Sequence, residues 1–148
     1  MRRTNEAGIR LIKKWESFVD HVYLCSAGVP TIGYGETNPE VIREFRGKTM
    51  TEEHASGLLD RSLVKYENAV YTLVNSHVPL TDNEYASLVS FTYNLGGNAL
   101  RNSTLRKVIL RGEYDLAPAQ FMRWVYAGGR KSKGLFNRRK EEANLWTM

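Results

Sequence analysis

Three side chains with chemical potential fall within one short stretch, WESFVDHVYLCSAGVPTIGYG at residues 15–35: the carboxyl of Glu16, the thiol of Cys25 and the hydroxyl of Thr31. Glu16 sits where a helical pattern gives way to turn residues, with Trp15 and Phe18 beside it. Carbonyl dipoles at a helix C-terminus and a partly apolar setting both disfavour a charged carboxylate, so such a group can stay protonated and act as a general acid. Taken alone, its plainer reading is a surface glutamate at a helix end. Cys25 is the only cysteine, and its neighbours Ser26, Ala27 and Gly28 have the composition of a turn, whereas a lone cysteine is ordinarily a small buried hydrophobe. A thiol in a polar turn can orient water or, with a lowered pKa, act as base or nucleophile. Thr31 by itself is an ordinary strand residue. Asp20, four residues after Glu16, offers the second carboxylate that glycoside chemistry commonly uses, although a solvated loop aspartate is its plainer reading. His21, His54 and His77 are scattered, so no metal site is expected.

These groups need elements to hold them. Thr4 is the expected cap of a first helix over 4–15, with Ala7, Ile9, Leu11, Ile12 and Trp15 at helical spacing. Residues 19–35, with three glycines and Pro30, read as a hairpin or a small three-stranded sheet. Thr51-Glu52-Glu53 opens a long helix over 51–76, about 39 Å at 1.5 Å per residue, with an apolar face from Ala55 to Val74 and a stop at His77-Val78-Pro79. Thr81-Asp82-Asn83-Glu84 is a capping box for the next helix, which Gly96-Gly97 stops. Ser103 or Thr104 caps a short helix through Arg111. Residues 116–126 read as helix, Gly128-Gly129 as a break, and 135–145 as a last helix. The order is helix, small sheet, long helix, helical bundle: an α+β chain, mainly α.

The totals agree with a globular protein. Of 148 residues, 42% are apolar and 25% charged, enough to form a core without a metal or disulfide. One cysteine forms no internal bridge, which fits a reducing compartment. The opening MRRTNEAGIRLIKKWESF lacks the apolar run of a signal peptide, and no run is long enough to span a bilayer. The net charge of +5 favours anionic partners, and residues 101–140 carry eleven Lys or Arg against Glu113 and Asp115. The segment RKSKGLFNRRKEE is a solvated helix face or a nucleic-acid patch on charge alone.

The combination resembles the phage-type lysozymes, the endolysins of glycoside hydrolase family 24, and their lambdoid-phage branch in particular. That family carries Glu, eight residues, Asp or Cys, five residues, then Thr, and Glu16, Cys25 and Thr31 stand at this spacing. FTYNLGGNALRNSTLRK at 91–107 and GLFNRRKEEANLW at 134–146 follow in the family's order. The resemblance implies a two-lobed lysozyme-like fold forming one domain over 1–148. Its small antiparallel sheet would lie in a lobe of about 16–50 and its connecting helix at about 51–76. A helical lobe of about 77–148 would follow, with helix 4–15 packed on it and a cleft between the lobes. It implies a muramidase that cleaves the β-1,4 bond between N-acetylmuramic acid and N-acetylglucosamine. Glu16 would protonate the leaving oxygen, and Cys25 and Thr31 would hold the attacking water. Inversion at the anomeric carbon would set Glu16 and residue 25 roughly 6.5–9.5 Å apart. Asn94 matches a substrate-contacting position and Arg138 the family's cleft arginine that faces the glutamate.

The same resemblance implies no cofactor, a monomer, and peptidoglycan glycan strands as partner, with neither nucleic acid nor stable membrane insertion. It also implies accumulation in the host bacterial cytoplasm until a holin releases the enzyme to the cell wall. Three positions depart from the family's pattern. Cys25 stands where many members have Asp, and a thiol of ordinary pKa, about 8.5, would give a more alkaline pH profile. Glu36 stands where relatives have His and needs another partner or solvent. Ser17 follows the glutamate where glycine is common. Two other classes compete. A glycan- or protein-binding module that had lost catalysis would bind peptidoglycan without releasing reducing ends. A nucleic-acid-binding protein would show steep salt dependence.

Overall fold

The computed structural model describes residues 2–148. The chain divides into two compact units, residues 12–63 and residues 1–11 with 64–148. The described residues form eight α-helices and two short hairpins: α1 (Glu6–Glu16), β1 (Val19–Leu24), β2 (Pro30–Gly33), α2 (Pro39–Phe45), α3 (Glu52–Val70), α4 (Asp82–Leu95), α5 (Gly97–Arg101), α6 (Thr104–Leu110), α7 (Ala117–Phe121), β3 (Tyr126–Ala127), β4 (Arg130–Lys131) and α8 (Lys133–Trp146). This is the mainly helical chain with a small antiparallel sheet that its sequence predicts.

In the unit of residues 12–63, β1 and β2 pair antiparallel, with Val19 opposite Gly33, Tyr23 opposite Thr31 and Leu24 opposite Pro30. The register shifts between Val19 and Tyr23, a bulge of the kind that re-aims side chains. The expected third strand is reduced to one bridge, Ile32 with Glu36. Gly33 has φ 66°, and a Cβ on it would lie 3.2 Å from the Ala55 Cβ and 3.3 Å from the Met50 sulfur, so the turn seats its backbone directly on the start of α3. Ile12, Ile32, Ile42, Met50, Ala55 and Leu59 are buried. Helix α2, which packs on the hairpin, was not expected from sequence. Its signal is Asn38-Pro39: the Asn38 side chain accepts the Glu40 amide at 2.9 Å and proline occupies the first turn, where it forfeits no helical hydrogen bond.

The other unit is built on α4, whose residues Tyr85 to Thr92 are all buried; a helix covered on every side needs no polar face. The Thr81–Glu84 capping box is present in both directions. Helices α8 and α5 pack on α4, and Phe91 meets Phe121 and Trp124 edge-on at 5.7 and 5.5 Å. Gly8 of α1 lets two backbones approach closely, since a Cβ there would lie 2.7 Å from the Ala86 Cβ.

Three boundaries and the burial of two arginines differ from expectation. Thr4 does not cap α1: its amide and hydroxyl both donate to the buried Glu67 carboxylate, at 2.7 and 2.6 Å, and Asn5 accepts the Gly8 amide instead. The long helix is α-helical only to Val70 and continues as a π-helical turn over Tyr71–Asn75. Residues 116–126 contain only the short α7 before the chain enters β3, where Gly128-Gly129 closes a hairpin. The arginines of α8 are not all on a solvated face: Arg138 and Arg139 are buried, which requires an opposite charge in the interior, and Glu142 supplies it.

Candidate active site

Glu16 is the last residue of α1 and is half-buried. The helix stops because Ser17 adopts φ 59° while its amide closes the last turn on the Lys13 carbonyl at 3.0 Å. Phe18 then stacks on Tyr34 at 5.6 Å, which turns the chain into β1. One turn before Glu16, Lys13 ties α1 to α3: its ammonium donates to Glu52 Oε2 at 3.3 Å and to Ser56 Oγ at 2.6 Å. Glu52 also accepts the Tyr34 hydroxyl at 2.7 Å and the Ser56 hydroxyl at 2.6 Å. Hydrogen bonds from Ser56 and Tyr34, then Lys13, hold the Glu52 carboxyl down at about 2, and the same contact, after burial, pushes the Tyr34 phenol up to about 12. This network fixes the acid's helix and the TIGYG turn to a common support.

Cys25 follows β1 and extends its ladder, its amide donating to Val29 O at 3.0 Å. Its thiol is lowered from the ordinary value by hydrogen bonds from the backbone at Val29 first and Ala27 next, with Thr31 contributing after burial's opposing effect. That direction works against the alkaline displacement expected for an unperturbed thiol. Thr31 is buried, and its hydroxyl donates to Val29 O at 2.8 Å. A cavity of about 400 Å³ opens beside this loop, lined by Val29, Pro30, Ile42, Arg43 and Arg46 among others.

Tyr23 connects the three groups. It faces Thr31 across the ladder and stands two residues before Cys25, so all three share one face of the hairpin. Its phenol is raised by burial first, then by Cys25 and by Glu16, which places both groups within electrostatic reach of one oxygen. By residue type alone Tyr23 is an ordinary strand tyrosine. Its alternation with Cys25 was the available signal.

The other candidates lie elsewhere. Asp20 is exposed, its carboxylate 3.0 Å from His21 Nδ1 and its carbonyl accepting the Met50 amide. Glu36 finds its partner in Ser62, whose hydroxyl donates at 3.2 Å. Asn94, in the last turn of α4, accepts from Arg139 Nη2 at 2.7 Å. Arg138 donates to Ser90 O at 3.3 Å and lies 3.4 Å from Glu142 Oε2, while Arg139 Nε is 2.8 Å from Glu142 Oε1. Burial pushes the Glu142 carboxyl up, against the pull of Arg139 and Arg138. Both substrate-binding candidates are thus held in one internal charge cluster of the unit of residues 1–11 and 64–148. Among the described residues no group of three or more His, Cys, Asp or Glu can hold a metal ion.

The family model for phage lysozyme matches residues 13–142, a span that contains the acid, the thiol and the hydroxyl. The chain belongs to the phage lysozyme family. It is 35% identical over 146 residues to an endolysin of Acyrthosiphon pisum secondary endosymbiont phage 1, covering 96% of each chain. Among solved structures, a point mutant of P22 lysozyme superposes with a TM-score of 0.90 at 32% identity, covering all of both chains. The muramidase domain of SpmX from Asticaccaulis excentricus superposes with a TM-score of 0.88 at 30% identity, covering 100% of this chain and 99% of that one. This lysozyme is a glycoside hydrolase. No helix of its described residues is long and apolar enough to cross a membrane.

Proposed function

We propose that this lysozyme is an endolysin that hydrolyses the β-1,4 bond between N-acetylmuramic acid and N-acetylglucosamine in bacterial peptidoglycan. The observation that supports the reading is that Cys25 and Thr31 share one face of the β1–β2 hairpin with Tyr23, whose phenol is raised by both Cys25 and Glu16. Glu16 gives its proton to the glycosidic oxygen as the C–O bond breaks. A water held at Cys25 and Thr31 attacks the anomeric carbon from the opposite face and passes a proton to the Cys25 thiolate, with inversion. The lowered thiol pKa increases the thiolate fraction available near neutrality. The net charge of +5 speeds encounter with an anionic envelope. The enzyme works as a monomer and accumulates in the host cytoplasm until a holin releases it to the wall, where it lyses the host of a phage or prophage.

The test is Glu16→Gln. It should abolish turbidity loss of permeabilised cells while the circular-dichroism melt stays unchanged; undiminished clearing would remove Glu16 from its role. Mass analysis of muropeptides released by the wild type should show products heavier by one water, and anhydro products would replace hydrolysis with transglycosylation. A binding module would retain peptidoglycan and release no reducing ends.

A further inference from the structure

A water attacking a sugar has two protons to donate and two lone pairs. One lone pair must face the anomeric carbon. The two protons need acceptors, and the second lone pair is satisfied only by a donor. Thr31 is not that donor in this site, because its single hydroxyl hydrogen is taken up by Val29 O at 2.8 Å or by the Cys25 thiolate, and either bond leaves its oxygen as an acceptor. The Cys25 thiolate is likewise an acceptor.

We propose, building on the hydrolase reading above, that the Tyr23 hydroxyl supplies the missing donor and positions the attacking water as its third protein contact. Tyr23 lies directly opposite Thr31 in the β1–β2 ladder, and Cys25 continues the same face two residues on, closed by its bond to Val29 O. Tyr23, Cys25 and Thr31 stand together at the turn end of the hairpin, beyond the register shift between Val19 and Tyr23. The hydroxyls of Tyr34, Tyr85 and Tyr114 are occupied, by Glu52, by Arg2 O and Glu67 O, and by Pro79 O. Tyr23 is half-buried, and its hydroxyl makes no hydrogen bond to protein among the described residues. Burial, Cys25 and Glu16 all keep it protonated, so it remains a donor across the range in which the thiol titrates.

The experiment measures reducing-end release from solubilised peptidoglycan strands over a substrate series, using wild type, Tyr23→Phe, Tyr23→His and Glu16→Gln. Losing one neutral hydrogen bond to a reacting group lowers kcat by about tenfold with KM within about twofold, and the ring of Tyr23→Phe keeps the packing. Tyr23→His restores an N–H donor and should recover part of kcat. The order wild type, His, Phe in kcat at similar KM supports the positioning role. A Phe variant with wild-type kcat, a loss that falls on KM alone, or a His variant no better than Phe overturns it. So does a Phe variant as inactive as Glu16→Gln with an unchanged melt, because that loss is too large for one positioning contact. If Tyr23→Phe melts more than about 5 °C below wild type, the comparison of Tyr23→His with wild type decides by the same kcat and KM criteria. Wild-type protein that releases no reducing ends would refute the hydrolase reading itself, an outcome distinct from any difference among the Tyr23 variants.

Discussion

Replacing Ser17 by glycine should stabilise this lysozyme. Ser17 is the residue that ends α1 behind the acid, and it is the only non-glycine with positive φ among the described residues, at 59°. In that region a Cβ crowds the following carbonyl, at a cost of about 1–2 kcal/mol. Glycine relieves the crowding but loses about 0.5–1 kcal/mol more backbone entropy on folding. The Ser17 hydroxyl makes no hydrogen bond among the described residues, so nothing offsets its removal. The net gain is about 0.5–1 kcal/mol. With an unfolding entropy of about 2.1 cal/mol/K per residue, the 148 residues give about 0.3 kcal/mol/K, so Tm should rise by about 2–3 °C. Ser17→Ala keeps the Cβ and should leave Tm level or lower it. Calorimetry of the three proteins decides the matter. A glycine variant that melts at or below wild type, or an alanine variant that gains as much, would refute the account of how the helix ends. Activity at 25 °C should be unchanged in the glycine variant, because the conformation that presents Glu16 is the same.

Three further outcomes follow from the charged and nucleophilic groups. Glu52 has its carboxyl lowered to about 2 by Ser56, Tyr34 and Lys13, so its contribution to stability is present above the ordinary value of 4.5 and is lost as pH falls toward 2; Glu52→Gln should flatten the fall in Tm across that window, and an unchanged slope would count against the network. Glu142→Leu leaves Arg138 and Arg139 buried without their carboxylate and should destabilise by about 3–5 kcal/mol in urea, whereas a loss below about 1 kcal/mol would mean the cluster is dispensable. Alkylation of Cys25 by iodoacetamide should follow a single titration with its midpoint below that of a free cysteine peptide, and a midpoint above it would contradict the loop's hydrogen bonds to the thiol.

What was legible in the sequence was local. The capping box at Thr81–Glu84 reads directly because donor and acceptor are three residues apart, and the cap at Ser103 works the same way. The acid, thiol and hydroxyl are legible because they fall within sixteen residues of one helix end and one hairpin. Distant partners were not. Thr4 reads as a cap until Glu67, 63 residues away, takes its hydroxyl and amide. The run NRRK reads as solvated until Glu142 and Ser90 neutralise and bond it inside the protein. Tyr23 is indistinguishable from a packing tyrosine until the register sets it opposite Thr31. Residues 116–126 carry enough apolar spacing for a helix, but the chain leaves α7 after Phe121 to form β3 and β4.

The unit that holds the charge cluster is assembled from two separated stretches, residues 1–11 and 64–148, whereas residues 12–63 form an uninterrupted unit. During vectorial synthesis this imposes an order. Every native partner inside the uninterrupted unit exists once residue 63 has been translated. Arg3 and Thr4 must wait for Glu67, Gly8 for Ala86, and Ser90 for Glu142 near the end of the message. A nascent lysozyme therefore leaves Arg3 and Thr4 without their native partner until Glu67 has emerged, and its buried charge cluster is completed only when the final helix leaves the ribosome.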